Sequence, residues 1–500
     1  MYIVLKINPN KSNSMEENMS ITKKFLSALT ATICAATACV CSVSVSAEKI
    51  SATTESEGLV YVAVDEDENG TYDFARIVGC SEGATKAYIP IVLDNLKVKE
   101  VTEYAFTSSS LVSIDVEEGH QYFAVKDSVL FDANFTTLIS YPAARIVADT
   151  YTIPSTVTEI ADCAFYNCKE LTNITIPNST VEIGDYAFFA CQGLSDITIP
   201  SSVESVGEYA FLGTELLNSQ NGPLYYADTW LLYCDNSVTT VKEDSVPIEP
   251  TTRGIAGGAF SDCSSLKMID IPSKVLYIGD YAFEECASLS SVSIPSSVKT
   301  IGFGAFSNCT GLVTLSIPNT VSKIEGYAFD NCENLSEINI PTGVSVLEEG
   351  VFRGCSSLLS IDIPNNIKEI EKLAFIYCSN LNKVVINNKA CVINNTIETF
   401  SNDGVNKFTG KIHGYAGSTA QEYATNFNIG FVTLGATAVL GDANNDGKLT
   451  VSDAAFIART LAKRETIDVE TNPDADYNND GKVTVSDAAA IARDLAKKVV

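Results

Sequence analysis

Gly304-Ala305-Phe306-Ser307-Asn308-Cys309 leads through Leu312 and Leu315 to Ile317-Pro318, then to Val321 and Ile324. The phrase is written six times between Gly254 and Ile386. Its aromatic anchors are Phe260, Phe283, Phe306, Phe329, Phe352 and Phe375, each 23 residues after the last. A cysteine follows each anchor by three residues: Cys263, Cys286, Cys309, Cys332, Cys355 and Cys378. The pairs Ile271-Pro272, Ile294-Pro295, Ile317-Pro318, Ile340-Pro341 and Ile363-Pro364 keep the same step. A fixed period in the twenties is the signature of a solenoid of stacked coils. Proline after isoleucine has no N–H for a ladder and ends a short strand. The alternation before it turns two side chains inward. Ala-Phe with a leucine six residues later supplies a compact turn packed inward. Strands of neighbouring coils then pair at about 4.8 Å, so roughly thirteen coils between Val78 and Ile386 make a rod on the order of 60 Å long.

Working outward, residues 107–253 hold a less regular half. Ala164-Phe165, Ala187-Phe188 and Ala210-Phe211 keep the step, but Phe211 and Phe260 are 49 residues apart, two periods plus three. An atypical coil there contains Tyr225, Tyr226, Trp230 and Tyr233, and another with Tyr122-Phe123 and Tyr141-Pro142 precedes Ile153. Insertions into repeats emerge as loops on one face, often the binding face. The alternative, which we favour, is that these aromatics fill a wider coil. Residues 48–100 carry two strands, Leu59 to Val64 and Tyr72 to Val78, around an acidic loop ending in Asn69-Gly70. That is a hairpin signal, and a hairpin suits an end cover over the first coil of an array at 101–386. Residues 387–434 leave the period. They read as a strand from Lys411, a short helix from Ser418 to Asn426 and a closing strand from Ile429 to Leu434, together covering the last open edge.

The composition narrows the function classes. Basic residues number 33 against 62 acidic, a net charge of −29. Such a surface repels nucleic acid and anionic membranes, which need clustered Lys and Arg. A single tryptophan, Trp230, counts against an open polysaccharide groove built on aromatic platforms. Residues 1–47 read as an export signal: Lys23 and Lys24 precede an apolar run from Phe25 to Val45, and Val45-Ser46-Ala47 is a small-residue cleavage site. Met19 fits as the true start, and no membrane span is expected once the signal is removed.

Of fifteen cysteines, Cys34, Cys39 and Cys41 fall in the signal. Eight of the others share one repeat position: Cys168, Cys191 and the six named above, with Thr214 breaking the register. Parallel side chains on adjacent coils rarely reach disulfide geometry, so a reduced core ladder is expected despite an extracellular setting. A spacing of 23 does not suit zinc. The two histidines, His120 and His413, have no partner at triad or ligand spacing. Acids are too plentiful for counting to identify a glycosidase pair.

After a 435–441 linker the text changes. Asp442-Ala443-Asn444-Asn445-Asp446-Gly447-Lys448-Leu449-Thr450-Val451-Ser452-Asp453 is a twelve-residue loop with oxygen ligands at positions 1, 3, 5, 9 and 12. Gly447 stands at position 6, where calcium loops turn sharply, and the carbonyl of Lys448 serves position 7. The pattern recurs thirty-four residues later at Asp476, Asn478, Asp480, Gly481, Lys482, Thr484 and Asp487. Two Ca2+ ions are therefore expected. Position 12 is Asp rather than the Glu of the usual EF-hand. Helices are expected at 454–463 and 488–497, with Ile457 and Leu461, and Ile491 and Leu495, packing the two halves together.

Residues 55–434 resemble the BspA-type bacterial leucine-rich repeats. The resemblance rests on Ala-Phe-x-x-Cys-x-x-Leu, on Ile-x-Ile-Pro-x-x-Val-x-x-Ile and on the cap Gly414-Tyr415-Ala416-Gly417-Ser418-Thr419-Ala420. It implies a surface or secreted protein whose solenoid is a binding face. Residues 442–500 resemble a type I dockerin, which implies docking onto the cohesin module of a cellulosome scaffoldin. By the same resemblance recognition falls on Val451, Ser452, Arg459 and Lys463, and in the second copy on Val485, Ser486, Arg493 and Lys497. Ser452, Ala455, Arg459 and Lys463 share one helical face. The duplication suggests two docking orientations related by a half-turn.

The expected fold is mainly β with short helical turns, a leucine-rich-repeat solenoid of 23-residue coils followed by a small all-α dockerin. The expected protein is a secreted, non-catalytic binding component in polysaccharide catabolism, its solenoid holding a protein, cell-surface or polymer ligand. Two other readings stay open: a dockerin-borne hydrolase of plant polysaccharide (O-glycosyl bonds) or peptide, and a cell-surface adhesin.

Overall fold

The computed structural model describes Lys49–Ile50, Thr54–Ser56 and residues 58–497, except 68, 82, 109, 147–149, 236, 243–245, 435–440, 445–448, 464–465, 468–471, 473–474 and 479–481. The expected export signal at 1–47 and most of the 435–441 linker lie outside the described residues.

Each regular coil contributes two short strands. One is the Ile-x-Ile strand: Met268–Asp270 pairs in parallel with Ser291–Ser293. The other lies at Val-x-x-Ile, where Tyr277–Ile278, Thr300–Ile301 and Lys323–Ile324 pair in parallel, Ile278 beside Ile301 beside Ile324. Between them the chain turns over the proline, with Val298 N donating to Pro295 O at 3.1 Å and Val321 N to Pro318 O at 3.1 Å. The solenoid thus has a parallel ladder on two faces. The second was not expected, because a two-residue strand shows no alternation to read.

Between the ladders the anchors stack. Phe260, Phe283, Phe306, Phe329, Phe352, Phe375 and Phe400 form one column with ring centroids 5.0 to 5.7 Å apart. All are essentially fully buried. Each such ring contributes about 1.5–3 kcal/mol by burial, and stacking adds about 0.5–1.5 kcal/mol per pair. Beside the column runs the cysteine ladder. Cys309 Sγ donates to Phe283 O at 3.1 Å, Cys332 to Phe306 O at 3.1 Å and Cys355 to Phe329 O at 3.3 Å. All twelve described cysteines are free.

The stack comprises about 15 coils of about 23 residues. It exceeds the expected thirteen because the ladders run on into both end regions. Near the start, Phe74–Cys80 pairs in parallel with Leu96–Val101. At the far end, Lys383–Ile386 pairs with Lys411–Gly414, which pairs with Gly430–Thr433. The helix Thr419–Asn426 starts at Ser418, whose hydroxyl accepts from Gln421 N, and Tyr423 packs its ring edge against Phe400.

Both irregular coils are β-hairpins. Phe123–Lys126 pairs antiparallel with Val129–Asp132, and Leu224–Ala227 with Trp230–Cys234. The second strand of the latter joins the parallel ladder beside Gly254–Ile255. Trp230 is fully buried and stacks on Tyr277 at 6.2 Å. Gly254 is required beneath it, since a Cβ there would meet the indole at 2.4 Å. Arg253 lies over both rings and donates to the carbonyls of Pro200, Ser201 and Val203. The break in the repeat is therefore filled by an indole and clamped by a guanidinium.

Candidate functional site

The described ends of the two acidic loops lead into two helices, Val451–Ala462 and Val485–Lys497. Both begin three residues before the expected position. Thr450 is the reason: its side chain accepts from Ser452 N at 3.1 Å, while Asp453 accepts from Thr450 N at 2.8 Å, a capping box that draws the end of the loop into the first helical turn. Thr484, Ser486 and Asp487 repeat it, with 3.2 Å and 2.8 Å.

Asp453 and Asp487 do more than cap. The Asp453 carboxylate also accepts from Asn444 N at 3.2 Å, and that of Asp487 from Asn478 N at 3.1 Å. Each therefore ties positions 3 and 9 of its loop to position 12. In the second loop the Asn478 amide also donates to Ser486 Oγ at 2.9 Å. Asp442, Asp453, Asp476 and Asp487 are all buried, none more than 3% exposed. A small module burying two carboxylates at each loop has a natural place for a cation. Hard oxygens from Asp, Asn and Thr are the donor set that Ca2+ takes. The residues present fit the ion. Asp446, Lys448 and Asp480 lie outside the described residues, as do Gly447 and Gly481; Lys482 is exposed.

Ile457 and Ile491 are fully buried, and Leu461 and Leu495 pack beside them with Phe456, Val483 and Tyr477. The pairing of the halves is as the spacing predicts. Val451 and Val485 are 70% and 69% exposed, an unusual position for valine at the head of a helix. Ser452, Arg459, Lys463, Ser486, Arg493 and Lys497 are exposed as well. The copies are not identical. Lys497 pairs with Asp494 at 3.0 Å, and Tyr477 OH donates to Asp494 at 3.1 Å. The first copy has Thr460 and Ala443 at those places.

In the solenoid the aromatic candidates are mostly filling. Trp230, Tyr141 and Phe123 are buried. A cavity of ≈ 10 Å³ lies among Tyr209, Phe211, Leu217, Leu232 and Tyr233, room for about one water. His120 Nδ1 accepts from Tyr122 N and Phe123 N at 3.2 Å, a turn-forming role, and His413 sits in the strand Lys411–Gly414. What the sequence reading missed is a row of half-buried acids on successive coils. Asp162 accepts from Asp185 N and Asp185 from Glu208 N, both at 2.6 Å. Burial, then neighbouring acids, push Asp185 up to about 6 and Glu208 to about 7. The recurring Gly-Asp-Tyr and Gly-Glu-Tyr before Ala-Phe (from Gly184 and Gly207) was the available signal.

The BspA type leucine-rich repeat region matches in six copies over residues 146–224, 236–313 and 277–406, half of the chain. The chain belongs to the BspA-type leucine-rich repeat family. Residues 440–496 match the type I dockerin domain. Type I dockerins are calcium-binding modules whose partners are cohesins. Among solved structures this BspA-type chain is similar to a leucine rich cell surface protein from Faecalibacterium prausnitzii, 25% identical over 75% of this chain and 97% of that one, with TM-score 0.29. It is also similar to leucine-rich repeat proteins from Eubacterium ventriosum (28% identity, 54% of this chain, TM-score 0.26) and Bacteroides ovatus (21%, 77% of this chain and 98% of that one, TM-score 0.26). The chain spans 58% of the length of the Eubacterium ventriosum protein. No curated protein matches it. Among the described residues no helix is long and apolar enough to cross a membrane.

Proposed function

We propose that this BspA-type protein is exported by cleavage after Ala47 and attached to a cellulosome scaffold, where its solenoid serves as a non-catalytic binding face. In this reading residues 48–100 and 387–434 cover the array at 101–386, and 442–500 dock in a calcium-dependent way. One observation carries it: each of two loops with buried carboxylates leads straight into a helix whose first turn exposes a valine and a serine, with Arg and Lys about two and three turns on. Calcium bound by Asp442, Asn444, Asp446, the Lys448 carbonyl, Thr450 and Asp453 would fix the first face. Asp476, Asn478, Asp480, the Lys482 carbonyl, Thr484 and Asp487 would fix the second. The ion supplies charge balance and geometry, while the chain's own residues supply the contact. Val451, Ser452, Arg459 and Lys463, or Val485, Ser486, Arg493 and Lys497, would meet the cohesin. The non-catalytic reading is supported by how the described chain is used: hairpin, coils and two-helix module account for it.

The test uses the full chain as bait for scaffoldin cohesins, with calcium and then with chelator. Capture should be lost on chelation. Ser452→Asp with Arg459→Ala should leave affinity nearly intact, and so should Ser486→Asp with Arg493→Ala. All four together should abolish binding. Capture that survives chelator, or that is lost from one copy alone, would refute the paired-face reading. Turnover of plant cell-wall polysaccharide or casein above a boiled control would favour the hydrolase instead.

A further inference from the structure

The hairpin at the head of the stack carries Asp65-Glu66-Asp67-Glu68-Asn69-Gly70-Thr71-Tyr72-Asp73. Counted from Asp65, it places oxygen side chains at positions 1, 3, 5 and 9 and glycine at 6. That is the spacing of Asp442, Asn444, Asp446, Gly447 and Thr450, and of Asp476, Asn478, Asp480, Gly481 and Thr484. Two segments matched by a calcium-module family and one that lies outside both family models thus share one pattern within one chain.

The geometry agrees. Asp65, Asp67 and Asp73 each offer a carboxylate oxygen, and the three atoms lie within 4.8 Å of one another. Oxygens sharing one calcium at about 2.3–2.6 Å can be no more than about 5 Å apart. Asp65 is fully buried. Among the described residues it has no ion pair: Lys99 is taken by Glu66 and Arg76 by Glu100. A carboxylate withdrawn from water without a cation is costly unless a metal stands in for one. The loop is held in a wrapped form, with Asn69 N and Gly70 N donating to Asp65 at 3.1 and 2.9 Å and Glu66 N to Asp73 at 2.8 Å. Gly70 takes φ +91, which a residue with a side chain adopts poorly.

We infer that the Asp65–Asp73 loop binds one calcium ion and thereby fastens the hairpin over the first coil. Position 12 is Arg76, so Asp73 at position 9 closes the site in place of the usual terminal carboxylate. Affinity is accordingly expected in the extracellular-module range of about 10⁻⁴–10⁻³ M. The inference borrows its spacing from the dockerin loops but stands or falls on the hairpin alone.

The test is bound calcium per full-length chain by equilibrium dialysis at millimolar Ca2+, with hydrogen exchange over 59–80 recorded with calcium and with chelator. Asp67→Asn with Asp73→Asn changes only exposed side chains, so the hairpin should still form. This variant should hold one ion fewer than the native chain and lose the calcium-dependent protection of 59–80. Asp442→Asn with Asp476→Asn should leave that protection untouched. An unchanged ion count in the hairpin variant, or exchange over 59–80 that ignores calcium in the native chain, would overturn the inference.

Discussion

The coil stack and the two-helix module solve the problem of polar groups in opposite ways. In the stack, the backbone of each coil is satisfied by the next coil, and what is buried is phenylalanine, isoleucine and thiol. Among the described residues of the module, six apolar side chains form the buried core while four aspartates are buried around it. The stack is complete in itself, because its bonds need nothing but another coil. In the proposed reading the module's fold depends on a cation.

Chelation is the harshest way to break that comparison. In the full chain with chelator, amides of Val451–Ala462 and Val485–Lys497 should lose nearly all exchange protection while coils 254–386 keep theirs. Helices that stay protected without calcium would show that the buried aspartates are held by the chain alone. Next in size is the removal of one ring. Phe306→Ala should cost about 3–5 kcal/mol. Because coils contact only their neighbours, the exposed amides should cluster between Phe283 and Phe329. A globular core would spread the loss through the whole domain.

The mildest test is pH, which should act on the stack. Glu208 titrates at about 7 in the folded chain against an ordinary 4.5, first through burial and then through Asp185. Between those values the folded chain holds the proton more readily than the unfolded one. That stability is fully present below about 4.5 and is lost as pH rises through 7. The stack's melting temperature should therefore rise from pH 7.5 to pH 5, and the rise should shrink in Glu208→Gln. A melting temperature that falls or stays flat over that descent would show that the stack's row of acids is too well solvated to matter.

The period of 23 was enough to read the solenoid, since each Phe, Cys and Ile-Pro had one role and kept its distance. The second ladder was hidden because Thr300–Ile301 is too short to alternate. The helix starts were misplaced by three residues because Asp453, read only as the last calcium ligand, also closes a capping box with the N-cap Thr450. Trp230 could be read as filling or as a platform. Gly254, which alone makes room for it, lies 24 residues away and carries no sign of its partner. The hairpin acids were legible only as a turn, because a loop's spacing gains meaning from the oxygens it brings together.

The direction of the inter-coil hydrogen bonds has a mechanical consequence. They run along the axis of the stack, so a pull between the hairpin and the last strand loads them one after another rather than all together. Each coil that yields releases about 23 residues. At about 3.5 Å per residue, that is roughly 80 Å of chain from an element that occupied about 5 Å. A molecule built this way behaves under tension as a fuse of many small steps, and it lengthens many times over before its ends are parted.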